Sequence, residues 1–441
     1  MNSATTLNLL RRFESRNVTF LAPDGSWPIV WKSARGCHVV DADNRRYLDL
    51  TAAFGVAAAG HANPAVVRAG QSQMERLLHA MGDVHPHELK ARLARELSRR
   101  TFERWSGRPP ASTHGKVLFT NSGFEAVEAA LKTARLATGK PGIVAFENAY
   151  HGLGYGALNA THRSHFRGPF LDQLRDFGRF APFPARSRGR DRQSLDSLES
   201  SLRQLLRRHP IGAVLAEPIQ ARAGIVIPPD GFLPLLRGVC DEHGALLILD
   251  EIYTGFGRTG SWFACEHSGV RPDLVCVGKA LTGGFPLSAC VGRADVMDAA
   301  WPASDGEAIH TSTFLGHPVG CAMALAQIRQ IHARRLPERA ARMGRVLAEG
   351  LLRAARAYPR RCGRARSRSI GLMGGVELQD RDGSPAGPSA LRVVQRLLAR
   401  GFVFLPEGNH GEVISLTPPL TIPERELSRA LEALGKEISL C

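Results

Sequence analysis

Nowhere in this chain does an uncharged apolar run approach the roughly 18 residues that a membrane-crossing helix requires, which argues against a helical membrane protein. The first residues, MNSATTLNLLRRFESRNVTF, hold no unbroken apolar stretch followed by a small-residue cleavage site, so no secretory leader is expected. None of the eight cysteines (37, 240, 265, 276, 290, 321, 362 and 441) forms a C-x-x-C pair. That spacing argues against a zinc site or a disulfide framework and for reduced thiols in a cytoplasmic protein; no metal is expected. Lysine is scarce as well, with seven residues (32, 90, 116, 132, 140, 279 and 436) against fifty arginines. What is present is ordinary globular material. Hydrophobic residues make up 44% and charged residues 22% of the 441, which excludes disordered, collagen-like and coiled-coil chains.

The formal net charge of +16 raises the question of nucleic acid. The arginines are spread through the chain, denser only at 186–192 and 360–368, and no aromatic residues interleave them as a base-stacking platform would require. The charge therefore reads as solvated faces, and a nucleic-acid partner is not expected.

Residues 1–60 contain strand-like pieces, including GCHVVDADNRRYLDL, which alternates around an Asp-Ala-Asp-Asn turn as a hairpin does. They are expected to pack with a small C-terminal domain. From 61 to 320, short apolar runs alternate with helical segments. The runs are KVLFT (116–120), GIVAFE (142–147), IGAVLAE (211–217), ALLILDE (245–251), DLVCVG (273–278) and LSACVG (287–292). Runs that are apolar on both faces and separated by helices predict an α/β domain with a mostly parallel sheet covered on both sides. The turn-rich stretch 184–193 reads as a surface excursion. From 321 to 441 the pattern becomes that of a smaller α+β domain, ending in a helix from about 423.

In such sheets ligands sit at the carboxyl ends of the strands, so the residues after each run carry the most information. KVLFT is followed by Asn121-Ser122-Gly123 and then a helix, a turn whose N–H groups and hydroxyl suit a phosphate, although it is also an ordinary helix cap. ALLIL ends in Asp250 and Glu251, and a carboxylate there needs a partner, either a cationic heterocycle nitrogen or a structural arginine. Lys279 follows DLVCVG directly. An amine desolvated at the end of a buried strand is a nucleophile suited to a Schiff base; the alternative is a lysine reaching solvent.

Taken in order, these blocks resemble the class III pyridoxal-phosphate-dependent aminotransferases, the ornithine, acetylornithine and ω-amine transaminase group. The blocks are GHANP (60–64), NSGFEAVEAALKTAR (121–135), AYHG (149–152), AEPIQ (216–220), LILDEIYTGFGRTG (247–260), PDLVCVGKALTGGFPL (272–287), HTSTFLGHPVGCA (310–322) and LTPPLTI (416–422). The resemblance implies fold type I, pyridoxal 5'-phosphate as cofactor and a homodimer with shared active sites. It further implies that Lys279 carries the cofactor as a Schiff base and shuttles a proton, and that Asp250 pairs with the pyridinium nitrogen. Tyr150 and Ile252 would cover the two ring faces. Ser122 with the amides of Gly123 and Phe124 would hold the phosphate, Thr313 would reach it across the dimer, and Glu217, His151 and Tyr253 would lie beside the cofactor. His151, His310 and His317 are otherwise expected to be structural, and Arg258 to form a structural or interface ion pair.

Four positions depart from the family pattern and bear on the substrate. Ser415 stands where relatives acting on α-amino acids carry an arginine, Arg222 where ornithine-type enzymes carry an acid, Leu153 where an arginine often follows the His-Gly turn, and Tyr253 where a glutamine is usual. Phe54 stands where ornithine-type relatives carry a substrate-contacting aromatic residue, and the resemblance implies that it would make the opposite wall apolar. The implied reaction is a ping-pong transfer from an amine or ω-amino donor to a keto acid, pyruvate or 2-oxoglutarate, with Arg222 as the cationic anchor for a carboxylate or phosphate. Racemases, aminomutases and lyases on the same scaffold are the alternative.

Overall fold

A computed structural model describes residues 1–22, 27–106, 114–187 and 189–441. The chain divides into two units, one of 1–63 with 339–441 and one of 64–338. In the first, β1 (Trp31–Arg35), β2 (His38–Asp41) and β3 (Arg46–Asp49) form an antiparallel meander. The Asp-Ala-Asp-Asn turn is set by Asp41, whose Oδ1 accepts from the N–H groups of Asp43 (2.9 Å) and Arg45 (2.8 Å) while Asn44 takes a left-handed φ of 65°.

The larger unit holds β4 (Gly115–Thr120), β5 (Gly142–Phe146), β6 (Gly178–Ala181), β7 (Ile211–Ala216), β8 (Leu246–Asp250), β9 (Leu274–Val277) and β10 (Ser288–Arg293). They form one sheet in the order β4-β10-β9-β8-β7-β5-β6, parallel throughout except where β10 runs against β4 and β9. All six apolar runs are strands of this sheet. β7 is buried along its whole length, the signature of a strand covered on both faces. The helix Gly123–Thr138 reaches the sheet through small side chains: Ala126, Ala129, Ala130 and Ala134 are at most 1% exposed and share a core with Ile143, Leu215, Ile248 and Cys276. β6 is a strand that no apolar run announced.

The smaller unit continues with β11 (Gly363–Ile370), β12 (Met373–Asp380), β13 (Phe402–Val403), β14 (Leu405–Glu407) and β15 (Val413–Leu416). β13 joins the meander beside β3 in parallel, and β11-β12-β15-β14 form an antiparallel sheet. The closing helix runs Glu424–Ser439. The division between units falls at 338 rather than 320, because the helix Pro318–Ala333 packs on the helices Pro64–Arg76 and Glu88–Arg100 of the larger unit. Of the expected excursion at 184–193, residues 184–187 and 189–190 are irregular and Asp191 already starts a helix; residue 188 lies outside the described residues.

Candidate active site

At the carboxyl end of β4, Ser122 caps the helix Gly123–Thr138 with extended dihedrals (φ −130°, ψ 162°). Glu125 folds back so that its carboxylate accepts from the N–H groups of Asn121 and Ser122, both at 2.8 Å. The Ser122 hydroxyl oxygen is buried and has no hydrogen-bond partner. An orphaned hydroxyl beside the first-turn N–H groups of a sixteen-residue helix is a cradle for an anion. Neighbouring glycines keep the turn compact. A Cβ on Gly123 would lie 3.1 Å from Ile252 Cδ1, and one on Gly152, whose φ is 111°, would lie 2.2 Å from Phe124 Cβ. The bulky Phe124 is therefore accommodated by the glycine turn that follows His151.

At the end of β8, Asp250 is 6% exposed. Its Oδ2 meets His151 Nδ1 at 2.8 Å and its Oδ1 accepts from Ile252 N at 3.1 Å. His151 is itself held, its N–H donating to Thr161 Oγ1 at 3.0 Å. Glu217, at the end of β7, accepts from the N–H groups of Tyr150 (3.1 Å) and Ala221 (3.0 Å). Burial pushes its carboxyl up to about 7; the charge of Asp250 adds to the rise, while His151 and the two amides oppose it. At the end of β9, Lys279 has a left-handed φ of 41°, strained for a non-glycine residue, and its Nζ lies 4.3 Å from the centroid of the Tyr253 ring. The Arg222 guanidinium lies over the Tyr150 ring at 4.6 Å and over Phe166 at 5.7 Å.

An amine on a strained strand end, a buried carboxylate held by histidine, and an empty-handed serine at a helix N-terminus form a set of donors and charges suited to a phosphorylated, cationic heterocycle with an aldehyde. The comparisons with known proteins agree. The chain matches the aminotransferase class-III family over residues 21–438. It is a class III aminotransferase. A thermostable (S)-enantioselective ω-transaminase from Thermomicrobium roseum superposes with a TM-score of 0.87 at 30% identity, covering 100% of this chain and 99% of that one. An amine transaminase from an uncultivated Pseudomonas species, solved with pyridoxal phosphate bound, gives 0.87 at 29% identity over 98% and 99%. The ornithine aminotransferase of Toxoplasma gondii gives 0.83 at 27% over 99% and 95%. The fold is type I, and pyridoxal phosphate is the cofactor.

Within this aminotransferase, Ser122, Gly123, Phe124, Tyr150, His151, Glu217, Arg222, Asp250, Ile252, Tyr253 and Lys279 all belong to the larger unit. Several of them touch one another, as above. Thr313 is exposed on the single chain, two residues from Thr311, and its neighbour Ser312 accepts from Asn121 Nδ2 at 3.4 Å. Phe54 and Ser415 belong to the smaller unit. Phe54 stands 54% exposed in the short helix Ala52–Gly55, and Ser415 is buried in β15 with its hydroxyl donating to Leu405 O at 3.2 Å.

Glu251, one residue past Asp250, serves a separate purpose. It is fully buried and accepts from Thr254 Oγ1, Ala264 N (3.0 Å) and Cys265 N (2.8 Å), tying down the loop that follows β8. Arg258 is 2% exposed, and Leu153 is 48% exposed. His310 meets Lys132 Nζ at 3.1 Å, and His317 caps the helix Pro318–Ala333 among the rings of His79, Phe285 and Phe314. Sequence reasoning missed Phe166, which shares Arg222 with Tyr150. It lies sixteen residues beyond Tyr150 in a short helix, and no spacing signals such a pairing. Among the described residues, no cluster of side chains could hold a metal ion and no helix is long and apolar enough to cross a membrane.

Proposed function

We propose that this aminotransferase takes its amino group from an amine or ω-amino donor with an apolar or extended body and passes it to pyruvate or 2-oxoglutarate, working as a cytoplasmic homodimer with shared active sites. The reading is carried by Arg222. Its guanidinium lies on the face of Tyr150, a place from which a planar, permanently charged fork can hold one carboxylate. The buried, internally bonded Ser415 supports it, since that position offers no second cation. The exposed Thr313 agrees with a role toward a second subunit, and the apolar Ile309 and Phe314 (69% and 54% exposed) flank it.

When bound, the cofactor supplies an electron sink for the C–H bond broken beside the transferred nitrogen. The chain's own residues set the conditions. Ser122 Oγ with the amides of Gly123 and Phe124 would hold the phosphate, and Asp250 would hold the proton of the ring nitrogen. Asp250 is kept in place by His151 Nδ1 and Ile252 N. Tyr150 and Ile252 would flank the ring. The Lys279 amine would carry the cofactor and, once displaced by substrate, would take the proton from carbon and return it at the end of the half-reaction.

Single-turnover mixing of the holoenzyme with ω-amino acids, diamines, aryl-alkyl amines and α-amino acids tests the reading. The long-wavelength band of the lysine-bound cofactor should bleach with the first three classes and return on addition of a keto acid. Arg222→Ala should raise the KM for the keto acid about tenfold or more, the worth of one charge-assisted bond. A band that persists while solvent deuterium enters the substrate carbon would move the assignment to a racemase. An unchanged KM for every keto acid would remove Arg222 as the anchor.

A further inference from the structure

Eight cysteines are free, and six of them are buried; Cys362 and Cys441 alone are half-exposed. These two come together in the smaller unit although 79 residues separate them. The Cys362 thiol donates to Cys441 O at 3.1 Å. Cys441 stands one residue past the cap of the helix Glu424–Ser439, and Cys362 lies in the turn before β11. Both supports are fixed. The helix end is held by Glu437, which takes Arg396 Nε at 2.8 Å and Arg400 Nη1 at 2.6 Å, and the turn by Cys362 N bonding to Pro359 O at 2.8 Å.

The surroundings suit thiol chemistry. Cys362 lines an open depression of about 600 Å³ together with Arg361, Asp380, Arg381, Asp382 and Ser384. The Tyr358 hydroxyl is buried with no hydrogen-bond partner; burial first, then the charges of Cys441, Asp380 and Cys362, push its phenol up to about 12. The Cys441 thiol is itself raised, by burial first, against the pull of Arg396 and Arg392 and with the help of Cys362. Cys362 thus opens to a depression that holds two arginines and two aspartates, with the Cys441 backbone within hydrogen-bond reach of its thiol.

We propose that Cys362 and Cys441 form a thiol–disulfide exchange site, in which an anionic low-molecular-weight disulfide docks between Arg361 and Arg381 and leaves the two cysteines joined. The Cys362 thiolate attacks one sulfur of the incoming disulfide, giving a mixed disulfide and releasing one small thiol. Cys441, on losing its proton, attacks the Cys362 sulfur, closes the intramolecular bond and releases the second small thiol. Two protein thiols are oxidised and one small disulfide is reduced to two thiols; the protons pass to the leaving sulfurs. The product clamps the end of the closing helix to the turn before β11. Both cysteines belong to the smaller unit, whereas the residues proposed to hold the cofactor belong to the larger one.

Glutathione disulfide is the probe, added to the holoenzyme in stepwise ratio to glutathione, followed by alkylation and digestion without reductant. The expected result is a cross-linked Cys362–Cys441 peptide lighter by two hydrogens, reversed by dithiothreitol, while the other six thiols are alkylated only after denaturation. Cys441→Ser should stop at one glutathione on Cys362, and Cys362→Ser should give neither adduct nor cross-link. Amide exchange in the closing helix should slow on oxidation. First modification of another cysteine, or a Cys441→Ser variant that accumulates no more mixed disulfide than the parent, would overturn the proposal.

Discussion

Asp250 and Glu217, at the ends of β8 and β7, and His151 beyond β5 are all buried, and burial resists the charge of Glu217. Its carboxyl rises from an ordinary 4.5 to about 7, chiefly through burial. The sign follows from proton binding. Below about 4.5 the group is protonated whether the chain is folded or not, so it has no effect on the balance. Between 4.5 and 7 the folded chain keeps a proton that the unfolded chain has lost, so stability falls as pH rises, and it levels off above 7. At about 1.4 kcal/mol per unit, the full drop is roughly 3 kcal/mol. Glu217→Gln cannot ionise. Denaturant midpoints of the cofactor-free protein should therefore show the variant gaining on the parent between pH 5 and 8, offset by a constant loss of about 1 kcal/mol because the amide can accept from only one of the two backbone N–H groups. Parallel pH profiles would mean that Glu217 titrates like an exposed carboxylate. The sequence singled out Asp250 and Lys279 by their positions after apolar runs, and Glu217 only through the family resemblance. It could not assign His151 its partner, because the bond to Asp250 joins residues 99 apart through the sheet order.

Strands were readable where their side chains form an apolar run, and two edge strands that carry arginine were not. β7, β8 and β9 announced themselves as unbroken apolar runs. β6 and β11 did not. Each is the last strand of its sheet, and each carries arginine: GRFA in β6 and GRARSRSI in β11. Alternation of arginine with small residues looks like a loop until β12 is set beside it. The boundary at 338 escaped for a related reason, since the helix Pro318–Ala333 is apolar almost all round and shows no preferred face from which its neighbours could be inferred. The arginines of β11 also have a physical use. Arg364 and Arg366 stand exposed on the strand, whereas Arg368 pairs with Glu377 of β12 at 2.5 Å. A charged edge resists the addition of a foreign strand. Replacing Arg364 and Arg366 together by threonine, which favours extended backbone, should leave the melting temperature within about 2 °C while increasing light scattering on prolonged incubation, since surface changes of this kind alter stability by about 0.5 kcal/mol or less. A large loss of melting temperature without scattering would show that these arginines hold the sheet together instead.

Across the molecule, fifty arginines and seven lysines face too few acids, leaving +16. Many arginines are already committed. Arg237 and Arg293 share Asp273 at 2.8 and 2.7 Å, Arg396 and Arg400 share Glu437, and Arg203 meets both Glu199 and Glu242. The excess that remains acts as a diffuse field, screened over about 8 Å at physiological ionic strength. Such a field attracts polyanions without reading them, because backbone phosphates supply the attraction and no aromatic residues interleave the arginine-dense stretches of the sequence. The protein should therefore bind single- and double-stranded DNA weakly, with a Kd of about 10⁻⁴–10⁻⁶ M at physiological salt and equal values for unrelated sequences. On a logarithmic plot the affinity should fall steeply and linearly with salt, and transaminase turnover should be the same with or without DNA once salt is fixed. Fluorescence anisotropy over a salt series, paired with turnover in the same buffers, reads both quantities. A sequence preference that survives high salt would require a built nucleic-acid surface, and the excess arginines would then need a different explanation from solvated faces.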